Sequence, residues 1–253
     1  MARSSEPGRS SASRLFAVLG CFSRAHASMT LSSIAAAADL PMATAYRAAK
    51  ELVAAGVLER NADGSYQIGL RLWTLGSLAP RLRDLREIAR PLMERLHEST
   101  GAAVQLVVED AGQAICIDKL SGVRSVRNIT EVARGLPLHA TSVGKVILAF
   151  SPPRRGRAPV LSRYTPYTIT DPAVLAAELT QIRADLVGYC RQELTVGTVS
   201  VASPVFHADG SLAGALGVLA GSPAAFPRLR SATREAASSI SRRLGLQSAR
   251  GFR

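Results

Sequence analysis

Between Thr30 and Gly56 the chain reads TLSSIAAAADLPMATAYRAAKELVAAG, and its small apolar residues recur at helical spacing on both sides of one break. Thr30 stands as an N-cap before Leu31, Ile34, Ala35 and Ala38, which form an apolar stripe ending at Asp39-Leu40-Pro41. Ser33 occupies the position where Glu would complete a capping box, so this is the weaker form of the cap. A second helix is expected from Met42 to Ala55, with Ala45, Ala48, Ala49, Leu52 and Val53 turned inward and Gly56 as its stop. Alanines on the inner face let such helices pack closely in a small domain. Upstream, Ser13 can cap a helix carrying Leu15, Val18, Leu19 and Phe22. Downstream, Val57-Leu58-Glu59-Arg60, the turn Asn61 to Ser65 and Tyr66-Gln67-Ile68 read as a hairpin. Two short helices across a tight turn followed by a hairpin describe a winged helix-turn-helix.

The outer face of helix 42–55 displays Met42, Ala43, Thr44, Tyr46, Arg47, Lys50 and Glu51, mostly in its first two turns. A helix about 10 Å across fits the major groove of DNA, where N-terminal residues meet base edges. Thr44 can bond a phosphate or a base, Tyr46 offers a hydroxyl and a ring, and Arg47 can reach a guanine bidentately or a phosphate. The plainer reading is that these are ordinary exposed residues on a small helical domain. The whole chain of 253 residues carries 31 basic and 19 acidic side chains, net +12, which points to a polyanionic partner. That charge does not locate the interface: residues 1–79 are net +3, whereas residues 228–253 hold seven arginines against Glu235 alone.

Composition divides the rest. Residues 1–12, mostly Ser, Arg, Gly and Pro, predict a disordered arm before a winged helix-turn-helix domain over 13–69. Leu72, Leu75, Leu82, Leu85 and Ile88, with Trp73, predict a linker helix over 70–90, broken near Gly76 and Pro80, that also pairs subunits. From 91 to 245 a helix through Leu92 and Leu96 gives way to strands over 103–109, 113–118, 199–206 and 212–219. Helices are expected over 143–150, 171–187 and 229–244, and residues 246–253 form a basic tail. The fold class is α+β with an antiparallel sheet.

Several functional classes find no support. The longest uncharged apolar run, Leu212 to Gly221, is about half the ~20 residues of a membrane helix, and the N-terminus lacks a signal peptide's apolar segment, so a cytoplasmic location is expected. Cys21, Cys116 and Cys190 are scattered, and His26, His97, His139 and His207 lack ligand spacing, so neither a metal nor a cofactor is expected. His139 to Val146 (HATSVGKV) has neither the first glycine nor the final Ser/Thr of a phosphate loop. Ser142-Val143-Gly144-Lys145 satisfies SxxK, which could serve acyl transfer. Its companion KTG motif is missing, since the only lysines are Lys50, Lys119 and Lys145. Lys145 is expected instead to bond carbonyls or carboxylates, His139 to be a hydrogen-bonded structural residue and Cys190 an inert buried thiol. Glu109 and Asp110 fall where a strand enters a turn and read as solvated, not as an acid/base pair.

Three stretches together resemble the IclR family of bacterial transcription regulators: TLSSIAAAADLPMATAYRAAKELVAAGVLER, GLPLHATSVGKVILAF at 135–150, and GYCRQELTVGTVSVASPVFHADGSLAGALGV from Gly188. The resemblance spans about Ser13 to Leu244. It implies a winged-helix DNA-binding domain, a linker helix and a GAF-like effector domain, assembled as homodimers or dimers of dimers on a double-stranded operator. It also implies a small-molecule pocket lined by Leu136, Ser142, Val143, Gln192, Thr198, Ser200, Gly217 and Leu219. This chain departs from the family at Gln192, where Asp is common, and near Gly217 and Leu219, where Ser is common. The loss of those anchors favours a larger or more apolar ligand, such as an aromatic or apolar acid, because unpaired polar groups cost ~1–3 kcal/mol each to bury. The expected function is an effector-responsive, sequence-specific transcription regulator of a catabolic operon and not an enzyme. The alternatives are a DNA-binding scaffold without a ligand, its second domain serving dimerisation, and a serine acyl-transfer enzyme using Ser142 and Lys145.

Overall fold

Ser10, not Ser13, caps the first helix: its Oγ accepts the Ser13 N–H, and α1 runs Ser11–Leu19. The outermost serine wins because it adds a turn of backbone bonding, Arg14 N–H to Ser10 O at 3.1 Å, which a cap at Ser13 would forgo. Residues 10–12 of the expected arm are therefore cap and helix. The computed structural model describes residues 10–23, 25–110, 112–122, 135–152 and 160–250, and the rest of that arm lies outside them. The chain forms two compact units that divide between Pro80 and Arg81.

In the first unit, β1 (Ser28–Met29) leads to α2 (Leu31–Ala37), where Thr30 Oγ1 accepts the Ser33 N–H as expected. Asp39, at φ +52°, turns the chain in the left-handed region and Pro41 precedes α3 (Met42–Ala54). Gly56, at φ +69°, closes α3, with Val57 N–H reaching back to Leu52 O in a Schellman arrangement. Ala45, Ala48, Ala49 and Leu52 are buried, with Ala48, Ala49 and Leu52 packed beside Val18, Ile34, Leu58 and Tyr66. The hairpin β2 (Leu58–Arg60) and β3 (Tyr66–Ile68) gains a strand the sequence reading did not foresee: β1 pairs with β3, giving the order β1-β3-β2.

The linker helix expected over 70–90 is two helices. α4 (Leu70–Ser77) includes Gly76 and stops at Leu78, and α5 (Pro80–Thr100) runs without interruption past position 90. Pro80 suits a helix start, and Pro91 inside α5 is tolerated because Ala89, Leu92, Met93 and Leu96 are all buried around it. Tertiary packing outweighs the one lost backbone bond.

The second unit is a six-stranded antiparallel sheet in the order β6-β5-β4-β9-β8-β7. Its strands are β4 (Ala103–Asp110), β5 (Gln113–Leu120), β6 (Gly135–Leu136), β7 (Gly188–Arg191), β8 (Val199–Phe206) and β9 (Leu212–Ala220). Strand alternation sorts side chains onto two covered faces. Val104, Leu106, Val201, Leu216 and Val218 pack against α5 and α8 (Phe226–Arg250). Val107, Cys116, Ala202 and Ala215 pack against α6 (Ser142–Phe150), which α7 (Pro172–Asp185) covers in turn. α8 continues through Gly245, so residues 246–250 of the expected basic tail are helical. No helix of the described residues is long and apolar enough to cross a membrane.

Candidate functional site

The amphipathic pattern of α3 leaves one face open. Ala43, Arg47 and Lys50 are exposed, Met42 and Tyr46 are each about half exposed, at 51% and 48%, and Thr44 is partly buried. Arg47 Nε donates to Ala43 O at 3.3 Å, which lays the guanidinium along the first turns of the helix. All six predicted contact residues thus share the N-terminal two-thirds of one helix. The hairpin tip is rigid: Asp63 Oδ1 accepts the Ser65 N–H at 2.9 Å and its hydroxyl at 2.6 Å, which also holds the Asp63 carboxyl below its ordinary range. Gly64, at φ +84°, supplies the left-handed turn. Arg60 lies over the Tyr66 ring at 5.8 Å, with a guanidinium nitrogen 3.6 Å from where a Cβ on Gly64 would be. The sequence reading missed this cation; its position at the last residue before the turn was the available signal.

In the second unit, Ser142, Val143, Ser200, Gly217 and Leu219 are buried on the α6-facing side of the sheet, and Leu136 joins them from β6. Ser142 Oγ and Ser200 Oγ share a hydrogen bond of 2.7 Å, and Gly217 abuts Val143. Gln192 and Thr198 stand apart, at the two ends of the β7–β8 connection. Gln192, at φ +63°, spends its carboxamide oxygen on the Gly197 N–H at 2.8 Å, and its N–H donates to Thr198 O. Six of the eight predicted residues are therefore brought to one face and two form the turn at its edge. A cleft of about 450 Å³ lies elsewhere, at the start of β9 beside Leu82, Leu85, Phe150, Glu109 and His207, and holds none of the eight.

The SxxK pair is not assembled for acyl transfer. Lys145 Nζ, fully buried, donates to Glu178 Oε1 at 2.8 Å and to Glu193 Oε1 and Oε2 at 2.8 and 3.0 Å, while Ser142 bonds Ser200. The lysine is bound by carboxylates, as its sequence context implied. His139 bonds Ser162 O through Nε2 at 2.9 Å and lies against Tyr164. Burial pushes the Cys190 thiol up and the Cys116 thiol to about 11, so neither is a thiolate near neutrality. Among the described residues no group of three His, Cys, Asp or Glu is placed to hold a metal ion.

These geometries have known counterparts. The family model of the IclR helix-turn-helix domain matches residues 11–62, and that of the bacterial transcriptional regulator IclR C-terminal region matches residues 80–242. The chain is 32% identical over 227 residues to the HTH-type transcriptional regulator KipR of Bacillus subtilis, covering 86% of this chain and 90% of that one. It is 29% identical over 254 residues to the HTH-type transcriptional repressor AllR of Klebsiella pneumoniae, covering 96% and 93%. Among solved structures it is similar to an IclR homologue from Microbacterium hydrocarbonoxydans complexed with 4-hydroxybenzoate, with TM-score 0.83, 31% identity, and 93% and 99% of the two chains covered. The IclR of Thermotoga maritima gives TM-score 0.70 at 27% identity over 92% and 97%.

Proposed function

The chain belongs to the IclR family of bacterial transcriptional regulators, and from that premise we propose that it reads a specific operator through α3 and its wing under control of a small organic acid. The observation that carries this reading is α3 itself: a helix buried through alanine on one side and presenting Met42, Ala43, Thr44, Tyr46, Arg47 and Lys50 on the other. Arg47 and Lys50 supply phosphate and base contacts, the uncapped N-terminus at Pro41 adds its dipole, and Arg60 places a further cation at the wing.

Its finer features are these. The regulated genes form a catabolic operon, the protein works in the cytoplasm as a homodimer or dimer of dimers, and it has no enzymatic activity. Leu70, Trp73 and Leu78 on and just after α4, 69%, 70% and 65% exposed, support subunit pairing through this segment, because large apolar side chains gathered on one short helix favour a partner surface. An aromatic or apolar acid is the effector, supported by the 4-hydroxybenzoate held by the Microbacterium homologue and by the mostly apolar face around Leu136, Val143 and Leu219. Coupling between two such sites is typically worth ~1–3 kcal/mol, or roughly 5- to 150-fold in affinity.

The test is binding of the purified full chain to DNA from upstream of its own gene, titrated against salt and a scrambled competitor. Preference for the cognate DNA by at least ~10³-fold with a steep salt slope supports the reading. Equal binding of both DNAs, or none at low salt, removes sequence-specific control at that promoter.

A further inference from the structure

The chain's positive charge is gathered on a helix that the operator-reading residues do not include. Residues 228–253 are net +6, half of the whole chain's +12, whereas residues 1–79, which contain α3 and the wing, are net +3. α8 buries Leu229, Thr233, Ala237, Ile240 and Leu244 on its sheet side. Helical spacing therefore turns Arg228, Arg230, Arg234, Arg242 and Arg243 outward, all exposed, with Glu235 as the one acid of the helix.

Little in the fold answers these charges. Arg230 lies 3.6 Å from Asp185, Arg228 donates to Ser99 O and Arg242 to Ser239 Oγ. Among the described residues no carboxylate stands within ion-pair reach of Arg228, Arg234, Arg242 or Arg243. The arrangement works against the helix itself. Arg230 and Arg234 are like charges one turn apart, and Arg228 stands in the first turn, where the helix dipole disfavours a cation. A solvated face needs no such excess, because interspersed glutamates would keep it soluble and stabilise it as well. The face is also open to a ligand: Arg230, Ser231, Arg234, Glu235 and Ser238 line a groove of about 380 Å³ along it. Guanidinium groups beside hydroxyls are donors that phosphate oxygens take, and the planar fork of arginine meets two of those oxygens at once.

We propose that the solvent face of α8 is a second DNA-binding surface, which grips the phosphate backbone of duplex DNA without reading sequence and is separate from the operator-reading interface of α3 and the wing. Charge complementarity selects a polyanion, and DNA is the polyanion that a helix-turn-helix chain already meets. This rests on the DNA-binding reading above and not on the effector.

The test measures binding of the full chain to a scrambled duplex of roughly 60 base pairs, about 200 Å long at 3.4 Å per step, by anisotropy at several salt concentrations. Each phosphate neutralised adds about 0.9 to the slope of log affinity against log salt. Arg234→Gln with Arg242→Gln should therefore make the slope about two units shallower, so that a fourfold rise in salt costs this variant about 12-fold less affinity than it costs the wild type. Arg234→Lys with Arg242→Lys keeps both charges and should keep the wild-type slope. Arg83→Gln with Arg163→Gln removes the same charge from exposed sites off α8 and should leave the slope within about half a unit of wild type. The melting temperature of the α8 glutamine variant stays level or rises, because the repulsion between Arg230 and Arg234 is gone. An unchanged slope in that variant overturns the assignment and leaves the face to an acidic protein partner or to solvent. An equal loss in the Arg83 and Arg163 pair overturns it too, since net charge and not this face would then set the slope. In both cases DNA binding by the wild type stands. No binding of any duplex by the wild type at low salt overturns the assignment together with the DNA-binding reading.

Discussion

A Cβ on Gly217 would lie 2.6 Å from Val143 Cγ1, so β9 and α6 meet here backbone against side chain. No real pair of carbons sits so close, and Gln105 crowds the same point from the next strand. Gly217→Ala therefore forces α6 away from the sheet or drives Val143 off its rotamer. Overpacking of this kind costs ~1–3 kcal/mol. The expected result is a lower denaturation midpoint for Gly217→Ala, recovered in part by Val143→Ala on the same chain. A double variant as unstable as the sum of its parts would show that the clash lies elsewhere.

Lys145 holds three elements together, since its own helix α6, Glu178 on α7 and Glu193 after β7 converge on one ammonium. Glu193 is itself only 4% exposed. Removing the lysine leaves buried carboxylate charge without a counter-charge, which typically costs ~3–5 kcal/mol. Lys145→Met should thus be among the most destabilising changes in the second unit. Adding Glu178→Gln and Glu193→Gln should restore much of the loss, because the neutral set has no orphaned charge. Chemical denaturation of wild type, Lys145→Met and the triple variant settles the matter: a Lys145→Met variant as stable as wild type would show the triad contributes nothing.

Much of this organisation follows from periodicity alone. The inner alanines of α3 and the Asp63-Gly64 turn were legible because 3.6-residue spacing and left-handed glycine leave local marks. β1 and β6 were not, since each has two residues and pairs only through distant partners. The expected end of the linker at 90 did not hold either: α5 runs through Pro91 because the core on one side fixes the helix. Gln105 was invisible for a subtler reason. In AVQLVVED a lone Gln reads as the solvated side of an alternating strand, but helices cover both faces of this sheet and the position is interior. The burial of a strand residue depends on layers that form far away in sequence.

Cys116 gives the second unit a dependence on alkaline pH. Burial raises its thiol from the ordinary 9.0 to about 11 in the folded chain. Between those values the unfolded state has released the proton and the folded state has kept it, so the unfolded state binds fewer protons and stability falls as pH rises. The contribution is fully present below about pH 9 and is lost progressively toward pH 11, amounting to roughly 2–3 kcal/mol. Cys116→Ala should flatten that decline while leaving the slope below pH 8 unchanged. Parallel decline of the two proteins above pH 9 would assign the loss to other groups.

In the proposed DNA contact, Arg47 and Arg60 stand on two elements, one on α3 and one at the base of the wing. Arg47 sits where a recognition helix meets base edges, so Arg47→Ala should lower specific affinity by ~1–3 kcal/mol and relax preference at one position of the site. Arg60 is held over Tyr66 beside the Gly64 turn, a location suited to phosphate rather than to a base. Arg60→Ala should then weaken cognate and scrambled DNA alike and reduce the slope of log affinity against log salt by about one unit. Anisotropy titrations at several salt concentrations separate the two effects. If Arg47→Ala instead reduces the salt slope with no change in the specificity ratio, it grips phosphate, and base reading passes to Thr44, Tyr46 and Lys50. If Arg60→Ala leaves both quantities unchanged, the wing does not touch DNA and the interface is α3 alone.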